Sequence, residues 1–290
     1  MIMINYENRK PQLVKFFHKE EAKRKPGYIG KMYGWSVKKD GWYGYREIYD
    51  GKMRKGVFSK TGNVIITLND QVSEADNTWR DMFKEAFIQN GRIIFEIRDF
   101  HDRAKDVYEM NSILKKEKIQ QECSYFVHDL LDYEDDCSFE GRFTKMKLSR
   151  RNAGWASACA IPVDRPVITD DIEEAKKFYR EIVALGGEGI VGINMASRYS
   201  WGERNPDLLK MKAETKIKNC EIIKRVPGLG NGALLIRFPS GIEGTVAGIS
   251  NEQNERWTTE NLRGKLVDIS CMQITPSGKP REPRLWGCKL

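Results

Sequence analysis

The sequence predicts an α+β protein in two parts, a large mixed domain followed by a small all-β barrel. Short apolar runs separated by Gly and Asp pairs, such as Asp40-Gly41 and Asp50-Gly51, recur through the first two thirds of the chain. Among them lie amphipathic stretches with helical spacing. After Lys212 the texture changes, and short β-type runs alternate with glycines and prolines.

Taken in order, Gln12 to Arg24 carries Leu13, Val14, Phe16 and Phe17 at helical spacing, with Pro26 and Gly27 as a stop. Strands are expected over Gly34–Lys39, Tyr43–Tyr49, Gly56–Phe58 and Val64–Thr67. A helix over Asn77–Gln89 and a buried strand over Arg92–Ile97 follow, then a helix over Asp106–Lys118 and a strand over Ser124–Leu131. Asp170–Leu185 reads as a helix capped by Thr169 or Asp170, with Ile172, Ala175, Phe178, Tyr179 and Ile182 as its apolar stripe. The polar stretch Ala213–Asn219 is the expected hinge. Beyond it, strands are expected over Glu221–Val226, Ala233–Phe238, Gly244–Val246 and Leu266–Met272, with a helical turn near Thr258–Leu262. A segment of about 70 residues with this texture suits a five-stranded barrel.

Composition narrows the class. Of 290 residues, 40% are hydrophobic and 31% charged, the balance of an ordinary globular chain. Lys and Arg exceed Asp and Glu by 49 to 41, which suits a polyanionic partner without demanding one. No run approaches the ~18 apolar residues of a membrane span. Asn5, Glu7 and Asn8 stand where an export signal needs an apolar core, so a cytoplasmic location is expected. The six cysteines are scattered without a C-x-x-C pair, which argues against a zinc ribbon or a disulfide framework.

Three constellations carry chemistry. In Lys38-Lys39-Asp40-Gly41, an extended backbone puts Lys38 and Asp40 on one face, and Gly41 permits a sharp turn beside a ligand. A neutral lysine there can attack an activated phosphate; alone, the segment equally reads as a solvated turn. In Leu209-Lys210-Met211-Lys212, alternation sends Leu209 and Met211 inward and both lysines to the other face, as a phosphate-lining strand or a solvated edge strand would. Glu96 and Glu188 are embedded in apolar runs, where a carboxylate needs an ion-pair partner, a ligand or a metal.

The order of these pieces is more specific than any one of them. Lys38-x-Asp40-Gly41, Ser59-Lys60-Thr61-Gly62, Glu96, Phe126-Val127-His128-Asp129, Glu188-Gly189-Ile190-Val191 and Lys210-Met211-Lys212 resemble the motif series of covalent nucleotidyltransferases. Within them, the chain is similar to the minimal ATP-dependent DNA ligases of bacteria and their viruses, over nearly its whole length. Gly278-Lys279-Pro280-Arg281-Glu282-Pro283-Arg284-Leu285-Trp286 resembles the segment that closes the family's oligonucleotide-binding (OB) domain.

The resemblance implies a nucleotidyltransferase (adenylation) domain over 1–214, with antiparallel sheets and flanking helices, and an OB-fold barrel over 215–290. It implies ATP as co-substrate, Mg2+ or alternatively Mn2+ as metal, and nicked duplex DNA as partner of a monomer in a bacterial or virus-infected cell. Lys38 would take AMP, with Asp40 beside it. Glu96 would hold the ribose, and Glu188, with Glu96, the metal. Lys210 and Lys212 would grip phosphates, and Lys60 would contact the nick phosphate or AMP. Phe126 or His128 would stack on adenine, and Lys289 would stand for the family's last arginine, which orients pyrophosphate. Tyr43 replaces the arginine that usually follows the first motif, leaving Arg46 as the nearest substitute. The basic run Arg142–Arg151, with Lys145, Lys147 and Arg150, is expected to face DNA. A capping guanylyltransferase or RNA ligase of the same superfamily, and a non-catalytic OB-type nucleic-acid-binding protein, are the alternatives.

Overall fold

The computed structural model describes residues 10–39, 41–65, 72–99, 123–152, 166–228, 231–257, 261–272, 274–275 and 277–288. The chain divides into two compact units, Met1–Met211 and Lys212–Leu290.

Two sheets organise the first unit. Sheet I has the order β1 (Leu13–Phe16), β10 (Arg204–Lys212), β9 (Gly189–Asn194), β2 (Tyr33–Val37), β8 (Val167–Thr169). Sheet II runs β4 (Lys52–Met53), β3 (Trp42–Tyr49), β6 (Gly91–Asp99), β7 (Cys123–Asp132), with β5 (Phe58–Ser59) also against β3. Its ladders are antiparallel. Period-two alternation decides what each face of β6 does. Ile93, Phe95 and Ile97 enter a core with Trp79 and Phe83 of α2 (Val72–Glu85) and Phe143 and Met146 of α3 (Phe139–Asn152). Trp79 stacks on Phe95 at 5.1 Å. Ile94 turns instead to a second cluster with Tyr45, Phe58 and Leu131, and Glu96 shares its face.

Sheet I packs on α4 (Ile172–Ala184) through Trp35, Ile190, Leu209 and Ala175. Asp171 caps that helix by accepting from Glu173 N at 2.8 Å, one residue beyond the expected cap. Thr169 supports it from behind, accepting from Asp171 N at 3.0 Å.

The helix expected over Gln12–Arg24 is a correction. Leu13–Phe16 is a strand, and only Phe17–Glu21 (α1) is helical. The segment's bulky residues satisfy a parallel ladder with β10, Lys15 to Leu209 and Phe16 to Lys210, and this tertiary pairing overrides local helical spacing. The helix expected over Asp106–Lys118 lies outside the described residues.

The second unit holds sheet III, ordered β13 (Glu243–Val246), β12 (Ala233–Arg237), β11 (Thr215–Val226), β14 (Leu266–Cys271), β15 (Arg284–Cys288). Its core includes Cys220, Ile222, Leu234, Ile236, Val267, Ile269 and Trp257 of α5 (Asn251–Trp257). Most of the expected hinge is strand, because Thr215, Lys216 and Ile217 pair with Cys271, Ser270 and Ile269. The outer strands meet at a parallel bridge between Ala247 and Arg284, with Leu285 N donating to Ala247 O at 3.0 Å. Among the described residues the expected barrel is therefore joined at this bridge rather than along a full ladder. No described helix is long and apolar enough to cross a membrane.

Candidate active site

Lys38 lies one residue past the end of β2, where Val37 pairs with Ile190 and Lys38 N donates to Gly189 O at 2.8 Å. That pairing delivers Glu188, just ahead of β9, to the lysine: Nζ to Oε2 is 2.5 Å. Gly189 has φ +143, a conformation L side chains rarely adopt, so glycine is required where the chain enters β9 beside the lysine.

Gly41 is required by space. A Cβ there would lie 2.5 Å from Ile97 O and 2.8 Å from Glu96 Cγ. This approach lets Gly41 N donate to Glu96 Oε1 at 3.2 Å. The Glu96 side chain keeps 17% of its exposure, with His128 Nε2 at 3.9 Å. Burial raises its pKa above the ordinary carboxyl value, and Glu188 adds to the rise; His128, Lys38 and the Gly41 N–H pull the other way.

A cavity of about 240 Å³ joins Lys38, Glu96 and His128 inside the first unit. Lys38, Lys60, Glu96, His128, Tyr43 and Val191 are part of its wall. His128 reaches it through a β-bulge. Ile94 pairs with Asp129 and Phe95 with Val127, so the ladder skips His128. Phe126 pairs with Glu96 across the ladder, and its ring is covered by Lys39 Nζ at 4.7 Å. Of the two candidate rings, the histidine lines the cavity.

Several expected residues stand elsewhere. Lys210 Nζ lies 4.1 Å from the centre of the Phe16 ring, and Lys210 is not part of the cavity wall. Lys212 opens the second unit, and its Nζ is 3.0 Å from Met272 Sδ of that unit. Asp40 and Lys289 lie outside the described residues.

Arg46 does not stand in for the arginine that Tyr43 replaces. It is buried, donates to the Arg54 and Gly56 carbonyls, and lies over Trp79. Tyr43 itself lines the cavity, its phenol held well above the ordinary value by burial.

Arg142 corrects the expectation of a DNA-facing surface. It is 2% exposed and forks onto Asp129, Nε to Oδ1 2.8 Å and Nη2 to Oδ2 3.2 Å, while Nη1 donates to Cys137 O. A helix starting at Phe139 turns this position inward against β7, so Arg142 is a strut. Lys145 pairs with Asp135 at 2.8 Å and Asp132 at 3.4 Å, whereas Lys147 is exposed. Arg150 and Arg151 lie on the last turn of α3, and their side chains are outside the described residues.

Sequence reasoning overlooked Gln12, Asp129 and Tyr199 as cavity residues. Asp129 was within the quoted Phe126–Asp129 segment. Tyr199 and Trp201, aromatics in a polar loop, were a signal that could have been read.

Comparison with known proteins gives the family. The ATP dependent DNA ligase domain matches residues 34–212. The chain belongs to that family. A curated archaeal relative of this family member, DNA ligase 2 of Methanosarcina acetivorans, is 38% identical over 77 residues, covering 27% of this chain and 14% of the relative. The match thus spans about a seventh of that relative's length.

Solved structures show the fold. A structure from a study of DNA binding with a minimal scaffold by Lig E DNA ligases superposes with TM-score 0.67 at 17% identity, covering 96% of this chain and 98% of that one. The ATP-dependent DNA ligase of bacteriophage T7, in complex with ATP, gives TM-score 0.54 at 16% identity, covering 98% and 99%. The ligase domain of M. tuberculosis LigD gives 0.53 at 16% identity, covering 98% and 96%. The chain therefore shares its fold with these ligases.

Proposed function

We propose that the chain is an ATP-dependent DNA ligase, sealing 5′-phosphate/3′-hydroxyl nicks through a lysyl-AMP intermediate on Lys38. The observation that carries this reading is the Lys38–Glu188 contact beside a cavity of about 240 Å³ lined by Lys38, Glu96 and His128, inside a segment that matches the ligase family. Glu188 holds the lysine at the cavity and is suited to take its proton, leaving a neutral amine to attack the α-phosphorus of ATP. The N–P bond forms as the bond to pyrophosphate breaks. AMP then passes to the 5′-phosphate of the nick, and the 3′-hydroxyl displaces it.

Glu96 is suited to accept from the ribose hydroxyls, because the Gly41 N–H occupies one oxygen and the other faces His128. His128, the candidate ring that lines the cavity, is suited to stack on adenine. Lys60, a compact charge on the turn after β5, meets phosphate oxygens without the fork an arginine would provide. The family resemblance assigns the phosphates and the departing pyrophosphate to Lys210, Lys212 and Lys289 and the first step to Asp40, although Lys210 does not line the cavity here. Lys147, Arg150 and Arg151 hold the duplex through its phosphates, without reading sequence. The adenylation domain is 1–214 and the OB domain 215–290, and the enzyme acts as a monomer.

Glu188 and Glu96 lie close enough for the charge of one to raise the pKa of the other, and this carboxylate pair would hold a magnesium ion whose shell water and substrate phosphates complete. Bound there, it would neutralise charge on the phosphates.

The test combines intact-mass analysis after incubation with ATP or GTP and a gel assay on nicked duplexes. An AMP-sized adduct on Lys38 and sealing of the DNA nick are expected. A GMP adduct alone would point to the capping reaction, and the lack of any adduct would leave a non-catalytic binding protein.

A further inference from the structure

Gln12 is held more firmly than a wall residue needs. Asp207 N donates to Asn205 Oδ1 at 2.9 Å. A backbone N–H can only donate, so the other end of the Asn205 amide is its NH2. That NH2 donates to Gln12 Oε1 at 2.9 Å, and Ser200 N donates to the same oxygen at 3.3 Å. Two backbone donors therefore fix the orientation of both amides. Asn205 is buried, and Gln12 N donates to Tyr199 OH at 3.3 Å.

What remains is the Gln12 NH2. No hydrogen bond from it is made among the described residues, and Gln12 lines the cavity that holds Lys38 and His128. Tying β1 to the loop around Ser200 would use only the amide oxygen. A cavity-lining residue whose amide is pre-oriented, with two N–H donors to offer, is an arrangement for recognising an acceptor.

We propose that Gln12 reads the edge of the nucleobase and selects adenine over guanine, an inference that rests on the nucleotidyl-transfer reading above. Adenine N1 carries a lone pair, which the Gln12 NH2 can meet as donor. Guanine N1 carries a hydrogen, so the same NH2 faces it donor to donor. Asn205 is the positioning residue, acting through the Gln12 amide. The discrimination resides in a polar contact left unmade by the wrong base, the kind of contact that separates substrates of equal size.

The experiment measures single-turnover adduct formation by intact mass, with ATP and with GTP, for the full chain and for Gln12→Glu and Gln12→Met. Glutamate keeps an oxygen for Asn205 and Ser200 but replaces the donor with an acceptor. Its preference for ATP over GTP should fall by about tenfold or more, chiefly through a raised apparent KM for ATP. Gln12→Met should lower the preference less, and it carries the test should the glutamate variant melt early. An adduct that forms with an unchanged ATP-to-GTP ratio in both variants overturns this inference alone. No adduct on the unaltered chain with either nucleotide overturns the transfer reading, and this inference with it.

Discussion

Glu47 and Glu96 stand on adjacent strands of sheet II, and the sheet treats them in opposite ways. Glu47 is fully buried opposite Arg92. Arg92 Nη2 reaches its Oε1 at 2.6 Å, Tyr133 OH the same oxygen at 2.7 Å, and Arg54 Nη1 the other at 2.9 Å. Burial alone would raise its pKa, but Arg92, Tyr133 and Arg54 outweigh burial and hold it below the ordinary value. Glu96, opposite Tyr43, keeps the raised pKa described above. A carboxylate saturated with donors is a structural group; one left short of them retains the capacity to bind something else.

The largest effect expected from breaking this contrast is on chemistry. Lys38→Ala should abolish the AMP adduct while the melting temperature moves by no more than about 2 °C, since a part-exposed lysine adds little to stability. A persisting adduct would remove Lys38 from the mechanism.

Arg92→Met should do the reverse, costing about 3–5 kcal/mol because Glu47 is left buried without its main partner. Denaturant titration measures this. The fraction that remains folded should still take AMP, and loss of adduct formation in that fraction would tie Arg92 to the site.

Glu96→Gln should slow adenylation by about 10²-fold. Its stability effect has a sign that depends on pH. A raised carboxyl contributes stability below its ordinary value and loses it as pH rises through the raised one. The glutamine variant should therefore melt higher than the parent near neutrality, with the gap closing toward acid. Glu47→Gln should behave oppositely, because a lowered carboxyl contributes stability above its ordinary value and loses it as pH falls through the lowered one. Melting curves from about pH 2.5 to 8 decide the matter, since the Glu47 change falls below its ordinary value, and parallel trends for the two variants would erase the contrast.

The smallest effect sharpens the site. His128→Leu should raise the apparent KM for ATP several-fold, by loss of a stacking contact. Phe126→Leu should change it less, and the opposite ranking would move the adenine platform to Phe126.

The candidate site residues were legible in the sequence, and the buried ion pairs of sheet II were not. Lys38, Glu96 and Glu188 are recognisable because short strings surround each of them in a fixed order. Glu47–Arg92 and Arg142–Asp129 have no such strings. Each pair is made by register, across β3–β6 or from α3 to β7, and nothing local marks an arginine as buried. Arg142 was misread for that reason, since a basic run looks solvated until the helix face is known. The strand at Leu13–Phe16 was misread because its ladder partner lies almost 200 residues away, |i−j| = 193 for the nearby Gln12–Asn205 bond. His128 was named, but the bulge that turns it into the cavity is a feature of pairing that no spacing announces.

The order of sheet I bears on how the protein is made. Its strands come from both ends of the first unit: β2 lies between β8 and β9, and β1 pairs with β10. Sheet II, by contrast, is assembled largely from strands that follow one another. During synthesis β3 can find β4, β5 and β6 early, while β2 has no neighbour in its sheet until residue 167 has left the ribosome. Glu188 follows Lys38 by 150 residues, an interval of roughly 8–30 s at ordinary elongation rates. Non-local pairing of this kind is slow as well as late. Lys38 is thus among the last groups of the first unit to find its partner, so a chain cut short before β9 holds the lysine without Glu188 beside it.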